Sequence, residues 1–112
     1  MNIDRKQHGD FVVYHLSGSL DAVTAGDLEE EFNSQFDSGI KGYVLDMKSL
    51  EYISSAGLRA VLSCRNRSES DNIPFKICDL LKTVKKVFSI AGFSSIMDLD
   101  LTFKEGSISK IS

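Results

Sequence analysis

Two consecutive hydroxyls, Ser54 and Ser55, stand where an apolar run gives way to a helical pattern. Upstream, Tyr43-Val44-Leu45 reads as a buried strand; downstream, Leu58, Val61 and Leu62 recur at helical spacing. A helix N-terminus carries unpaired N–H groups and a partial positive charge, so it prefers a Ser cap and tolerates an added phosphate. Either one serine caps the helix and does nothing more, or the exposed turn also offers a hydroxyl for modification. Asp21, Asp46 and Glu51 are strand-end or loop carboxylates that folding could gather near this turn. Paired carboxylates there would suit general acid–base work.

Other enzyme chemistry finds little footing. A nucleophile elbow needs Gly-x-Ser-x-Gly, and here Gly57 follows Ser55 while Ile53 precedes it. The sequence contains no Walker loop and no dinucleotide-binding Gly-x-Gly-x-x-Gly. His15 reads as a strand residue bonded to its surroundings, and His8 falls on a turn with no third partner in view. Cys64 and Cys78 lack CxxC or matching His spacing and read as free core thiols. No catalytic residue, metal or cofactor is therefore expected.

The 112 residues suit one domain, long enough to bury a core without metal or disulfide help. A net charge of −3 argues against nucleic acid as a partner, because phosphate binding needs a basic surface. No apolar run approaches a membrane span. The N-terminal stretch has no signal-like apolar core, which places the protein in the cytoplasm.

These residues need elements to hold them. Asn2 to Gln7 reads as a short edge strand, with a turn at His8-Gly9-Asp10. Phe11 to Leu16 reads as a buried strand, followed by a loop from Ser17 to Val23. Thr24 and Asp27 fit a capping box ahead of Ala25, Leu28, Phe32 and Phe36 at helical spacing, with Glu29, Glu30 and Glu31 solvated. Gly42 to Met47 is the central strand; the helix after the serines runs to about Arg67, and Ser68 to Asn72 forms a loop. Phe75 to Cys78 is a strand. A third helix has Leu80, Leu81, Val84, Val87, Phe88 and Ala91 on its apolar side and Gly92 at its end. Ile96 to Leu101 reads as a last short strand. Strands alternating with helices imply parallel pairs with right-handed crossovers, and the opening hairpin adds an antiparallel member. The expected architecture is α/β, a mixed sheet of four or five strands with helices packed on it.

Leu-Asp-Met and Ile-Ser-Ser-Ala-Gly-Leu-Arg-Ala-Val-Leu, at 45–47 and 53–62, resemble the signature of the STAS domain of bacterial anti-sigma factor antagonists. Gly18-Ser-Leu-Asp21 with Thr24-Ala-Gly-Asp-Leu28 resembles the first loop and helix of that family, and Val84 to Phe93 its third helix. The resemblance makes residues 1–112 a single STAS domain. Its best-known members carry the phosphorylated hydroxyl directly before the Gly; here Ala56 holds that place. The implied acceptor is Ser55, with Ser54 as the alternative, and the implied partner-binding residues are Asp21, Ser54, Ser55, Ala56 and Gly57.

The resemblance also implies partners. An unphosphorylated antagonist binds an anti-sigma factor that is an ATP-dependent serine kinase, and binding frees a sigma factor. Phosphorylation breaks the complex and a phosphatase resets it. On this reading the chain is a monomeric binding module, the substrate of catalysis rather than its agent. The alternative is a constitutive STAS subunit of a stress-sensing complex or transporter, without a kinase switch.

Overall fold

The apolar run Val12, Val13, Tyr14 and Leu16 is buried on both faces of its strand, and the mostly polar segment before it pairs alongside as an edge strand. In the computed structural model, which describes residues 1–93, β1 (Asn2–His8) turns through Gly9 and Asp10 into β2 (Phe11–Leu20). Gly9 sits at φ +64, a left-handed conformation that glycine adopts without steric cost, so the hairpin closes in two residues. β2 then pairs in parallel with β3 (Gly42–Ile53), and β3 in parallel with β4 (Phe75–Cys78). The sheet order is β1-β2-β3-β4, a mixed sheet of four strands. The strand expected at Ile96 to Leu101 lies outside the described residues.

Parallel neighbours need crossovers, and the helices supply them. α1 (Ala25–Ser34) joins β2 to β3, α2 (Ser55–Ser70) joins β3 to β4, and α3 (Lys82–Ile90) follows β4. All three contribute to one core with the same sheet face: Tyr14 and Leu16 of β2, Tyr43, Leu45 and Met47 of β3, Leu28 and Phe32 of α1, Leu58 and Val61 of α2, Val84 and Phe88 of α3. Aromatic rings fill its centre, with Phe32 lying 5.0 Å from Tyr43 and 5.9 Å from Phe75 between ring centroids. The intervening residues Val13, Val44 and Cys78 are buried in a second, smaller cluster, as strand alternation requires.

Two strands run further than their sequences suggest. β2 continues through Ser17, Gly18 and Ser19 to Leu20, where a loop was expected, and β3 continues past Met47 to Ile53. Register shifts at His15/Ser17 and Gly18/Ser19, with Gly18 at φ +92, let these polar residues stay paired. Pairing with a parallel neighbour overrides their weak strand propensity. The strand therefore reaches to within one residue of α2, leaving Ser54 alone as the junction. α2 also outruns its expected end near Arg67, because the Ser68 hydroxyl is buried and donates to the Ile73 carbonyl (2.8 Å). Leu81, expected on the apolar side of α3, is instead its N-cap and 40% exposed.

Candidate functional site

Ser54 leaves β3 in extended conformation, at φ −99 and ψ 176. Its backbone N–H donates to the Leu20 carbonyl at 3.0 Å, tying the start of α2 to the end of β2. Its hydroxyl accepts the Gly57 N–H at 3.2 Å, and its carbonyl accepts the Leu58 N–H at 2.9 Å. Ser54 is thus the N-cap of α2, one of the helix's orphan donors satisfied by its side chain. Ser55 is the first helical residue, with an exposed side chain that makes no hydrogen bond among the described residues.

Gly57 explains why this junction is tight. A Cβ there would lie 2.4 Å from the Leu20 carbonyl oxygen and 2.9 Å from Ile53 Cγ1. Its backbone geometry is ordinary; the requirement is for space. Ala56 beside it is partly buried against the core.

Asp21 follows Leu20 and turns its carboxylate onto the loop that starts α1. One oxygen accepts the N–H of Val23 (2.9 Å) and of Thr24 (3.2 Å). These backbone donors, Thr24 first, hold the carboxyl below its ordinary value, so it is anionic at neutral pH. The capping box expected from Thr24 and Asp27 does not form: the Thr24 hydroxyl donates to the Ser19 carbonyl (2.9 Å) and accepts the Asp21 N–H (2.9 Å). With its side chain drawn into that loop, Thr24 has none left for the helix.

The three carboxylates do not gather. Asp46 is 1% exposed and faces the small cluster, where it meets His15 Nδ1 at 2.7 Å and Lys48 Nζ at 3.5 Å. Its other oxygen accepts the Lys48 N–H at 3.1 Å. Five residues of extended β2 separate this row from Leu20, roughly 16 Å at ~3.3 Å each. Glu51 is exposed near the end of β3. A carboxylate pair poised for acid–base work on Ser55 is therefore not assembled.

The sheet register also brings Asp46, Cys78 and Asp79 together, with donor atoms within 4.8 Å of one another. Among the described residues this set could hold a cation, and sequence spacing gave no sign of it, since β3 and β4 meet only through folding. Cys64 and Cys78 are both buried and form no disulfide, and burial pushes the Cys64 thiol up to about 12. A groove of about 330 Å³ lies between the start of β1 and α1, lined by Met1, Ile3, Asp27, Glu30 and Glu31 among others; none of the candidate residues line it.

Three exposed residues at the serine end were not among the site residues expected from the sequence. Val23, in the turn after Leu20, is 86% exposed, and Tyr52, paired with Ser19, is 54% exposed. Arg59, one helical turn beyond Ser55, is also exposed. The spacing of Ser55 and Arg59 was the available signal for the last of these.

Residues 2–106 match the STAS domain family, most of the chain's length. The chain is 41% identical over 81 residues, 72% of its length and 70% of the relative's, to a Bordetella bronchiseptica protein bearing the name anti-sigma factor antagonist BtrV. The chain belongs to the STAS-domain family of anti-sigma factor antagonists. The fold agrees with that of solved structures. A Thermotoga maritima protein superposes with a TM-score of 0.87 at 17% identity, over 97% of this chain and 93% of that one. The antagonist SpoIIAA in its unphosphorylated form superposes with a TM-score of 0.75 at 17% identity, over 98% of this chain and 97% of that one. Its phosphorylated form gives the same TM-score, 0.75, at 18% identity, over 99% and 100% of the two chains. Among the described residues of the STAS chain, no helix is long and apolar enough to cross a membrane.

Proposed function

We propose that this STAS domain is a phosphorylation-switched antagonist that docks an anti-sigma factor through the end of the sheet bearing Asp21 and the Ser54–Gly57 turn. Unphosphorylated, it binds an anti-sigma factor that is also a serine kinase, and a sigma factor is freed. Phosphorylation of Ser55 ends that binding, and a phosphatase restores it. The observation that carries this reading is the division of labour between the serines: Ser54 spends its hydroxyl on the helix cap, whereas the Ser55 hydroxyl stands exposed at the first turn of α2.

The physics of the switch is local. A phosphate on Ser55 adds roughly −1.5 to −2 charges beside the unpaired N–H groups of a helix start, which favour an anion. The fold tolerates the group, because Ser55 is exposed and buries nothing. A partner packed across the turn meets a new, strongly hydrated charge next to an existing carboxylate, Asp21, and loses affinity. A solved phosphorylated form of SpoIIAA, a protein of the same fold, supports the idea that such a domain survives the modification.

The test is phosphorylation of purified variants by the cognate kinase with ATP, with the phosphate located by mass spectrometry. Ser55→Ala should bind the kinase and resist phosphorylation, and Ser54→Ala should still be modified. Phosphate on Ser54 of the unaltered protein would shift the switch by one residue. Phosphate on neither would count for a constitutive subunit.

A further inference from the structure

We infer that Arg59 is the internal partner of the phosphate on Ser55, swinging back over the first turn of α2 when the group is added. This rests on the reading of Ser55 as the acceptor. The reason lies in how α2 treats its three arginines. Arg65 pairs with Glu69 at 3.1 Å and Arg67 with Asp71 at 3.8 Å, both across one helical turn. Arg67 also lies over the Phe36 ring, 4.1 Å from its centroid. Arg59 has no such partner: its side chain is exposed and makes no ion pair or hydrogen bond among the described residues. The positions a turn away from it are Ser55, Ala56, Leu62 and Ser63, none of them acidic. Where the other two arginines have a carboxylate four residues on, Arg59 has four residues back the hydroxyl that phosphorylation would turn into a dianion.

The geometry suits the pair. Residues four apart on a helix have Cβ atoms roughly 5–6 Å from each other, and an acid placed N-terminal to its base is the favourable order. A phosphate presents three acceptor oxygens and a guanidinium a planar fork of donors, so the contact is charge-assisted and often bidentate. Asp21, beside Leu20, is held by its own loop, so it does not compete for the guanidinium. The consequence is a double change at the docking surface. Without phosphate, Arg59 stands as a free cation one turn from the serine; with it, the cation is neutralised in place as the anion appears.

The experiment uses the full chain with phosphoserine installed at position 55 by genetic encoding, so that its outcome is independent of any kinase. The second ionisation of the phosphate is followed by phosphorus NMR in the unaltered background, in Arg59→Gln and in Arg59→Lys. A clamp holds the dianion, so the phosphoserine pKa in the unaltered background should lie about half a unit below that in Arg59→Gln, roughly a threefold difference in proton affinity. Arg59→Lys should fall between them. Asp21 and Glu51 act equally in all three, so the difference isolates Arg59. The unphosphorylated Arg59 variants should melt as the unaltered protein does, which excludes misfolding as the cause. Equal pKa values in the three proteins would overturn the inference. Kinase-directed phosphate found on another residue would instead sink the Ser55 assignment and leave the pKa difference standing.

Discussion

Replacing Gly57 by Ala tests the closure of α2 onto β2 with a change of one methyl group. In an unobstructed helix, Gly→Ala stabilises by about 0.5–1 kcal/mol, because Ala surrenders less backbone entropy on folding. At Gly57 the new methyl would lie 2.4 Å from the Leu20 carbonyl oxygen, which is backbone and cannot rotate aside. Forcing an extra carbon into such a packed site costs about 1–3 kcal/mol. Taking the middle of each range, about 2 against about 0.75 kcal/mol, the net loss is about 1.2 kcal/mol. At about 4–8 °C per kcal/mol for a domain near 100 residues, Tm should fall by about 5–10 °C. Relief would come by backing α2 away from β2, which strains the Ser54 N–H to Leu20 bond of 3.0 Å and shifts Ser55 relative to Asp21. Gly26 in α1 is the internal control, since a Cβ there meets nothing within 4 Å. Gly26→Ala should raise Tm by a few degrees. Thermal melts by circular dichroism measure both. If Gly57→Ala melted at or above the unaltered protein, the tight junction deduced above would be wrong.

Phe88→Ala should lower urea-unfolding stability by about 3–5 kcal/mol, since Phe88 is fully buried where α3 meets the core. Asp21→Asn keeps an oxygen for the Val23 and Thr24 N–H groups, so it should fold normally at pH 7 while weakening partner binding, checked by calorimetric titration. The Asp21 carboxyl is held low in the folded state, so its stabilising contribution is present above the ordinary carboxylate value and is lost as pH falls through the folded one. Asp21→Asn should therefore show a shallower acid-side decline of the urea midpoint. Cys64 has the opposite sign: its thiol, pushed up to about 12, stabilises fully below the ordinary thiol value and progressively less as pH rises from there towards 12. The native protein should resist thiol reagents at pH 8, and Cys64→Ala should flatten part of the alkaline loss of stability.

Much of this molecule was legible in the order of its residues. The helix at Leu58 and Val61, the strands at Val44 and Ile77, and the stop at Gly92 follow from periodicity and local backbone chemistry. Such signals need only residues a few positions apart. A serine pair before an apolar helical stripe likewise announces a helix start, whatever the rest of the chain does. The lengths of β2 and β3 were not legible, because Ser17, Gly18 and Ser19 have little strand propensity of their own and remain extended only while β3 supplies hydrogen bonds.

The division between Ser54 and Ser55 also depended on tertiary structure. Either serine fits the N-cap by type; the bond from the Ser54 N–H to Leu20, far off in sequence, decides where the helix begins. The same holds for Asp46, which by position could have approached the serines but is taken up by His15, 31 residues away, because parallel register sets the two side by side. Gly57 carries the point furthest. The sequence determined that a glycine stands in the first turn of a helix, where it is locally unfavourable. Only the packing of β2 against that turn gives the reason, since the space a Cβ would need is filled by a carbonyl oxygen from another strand.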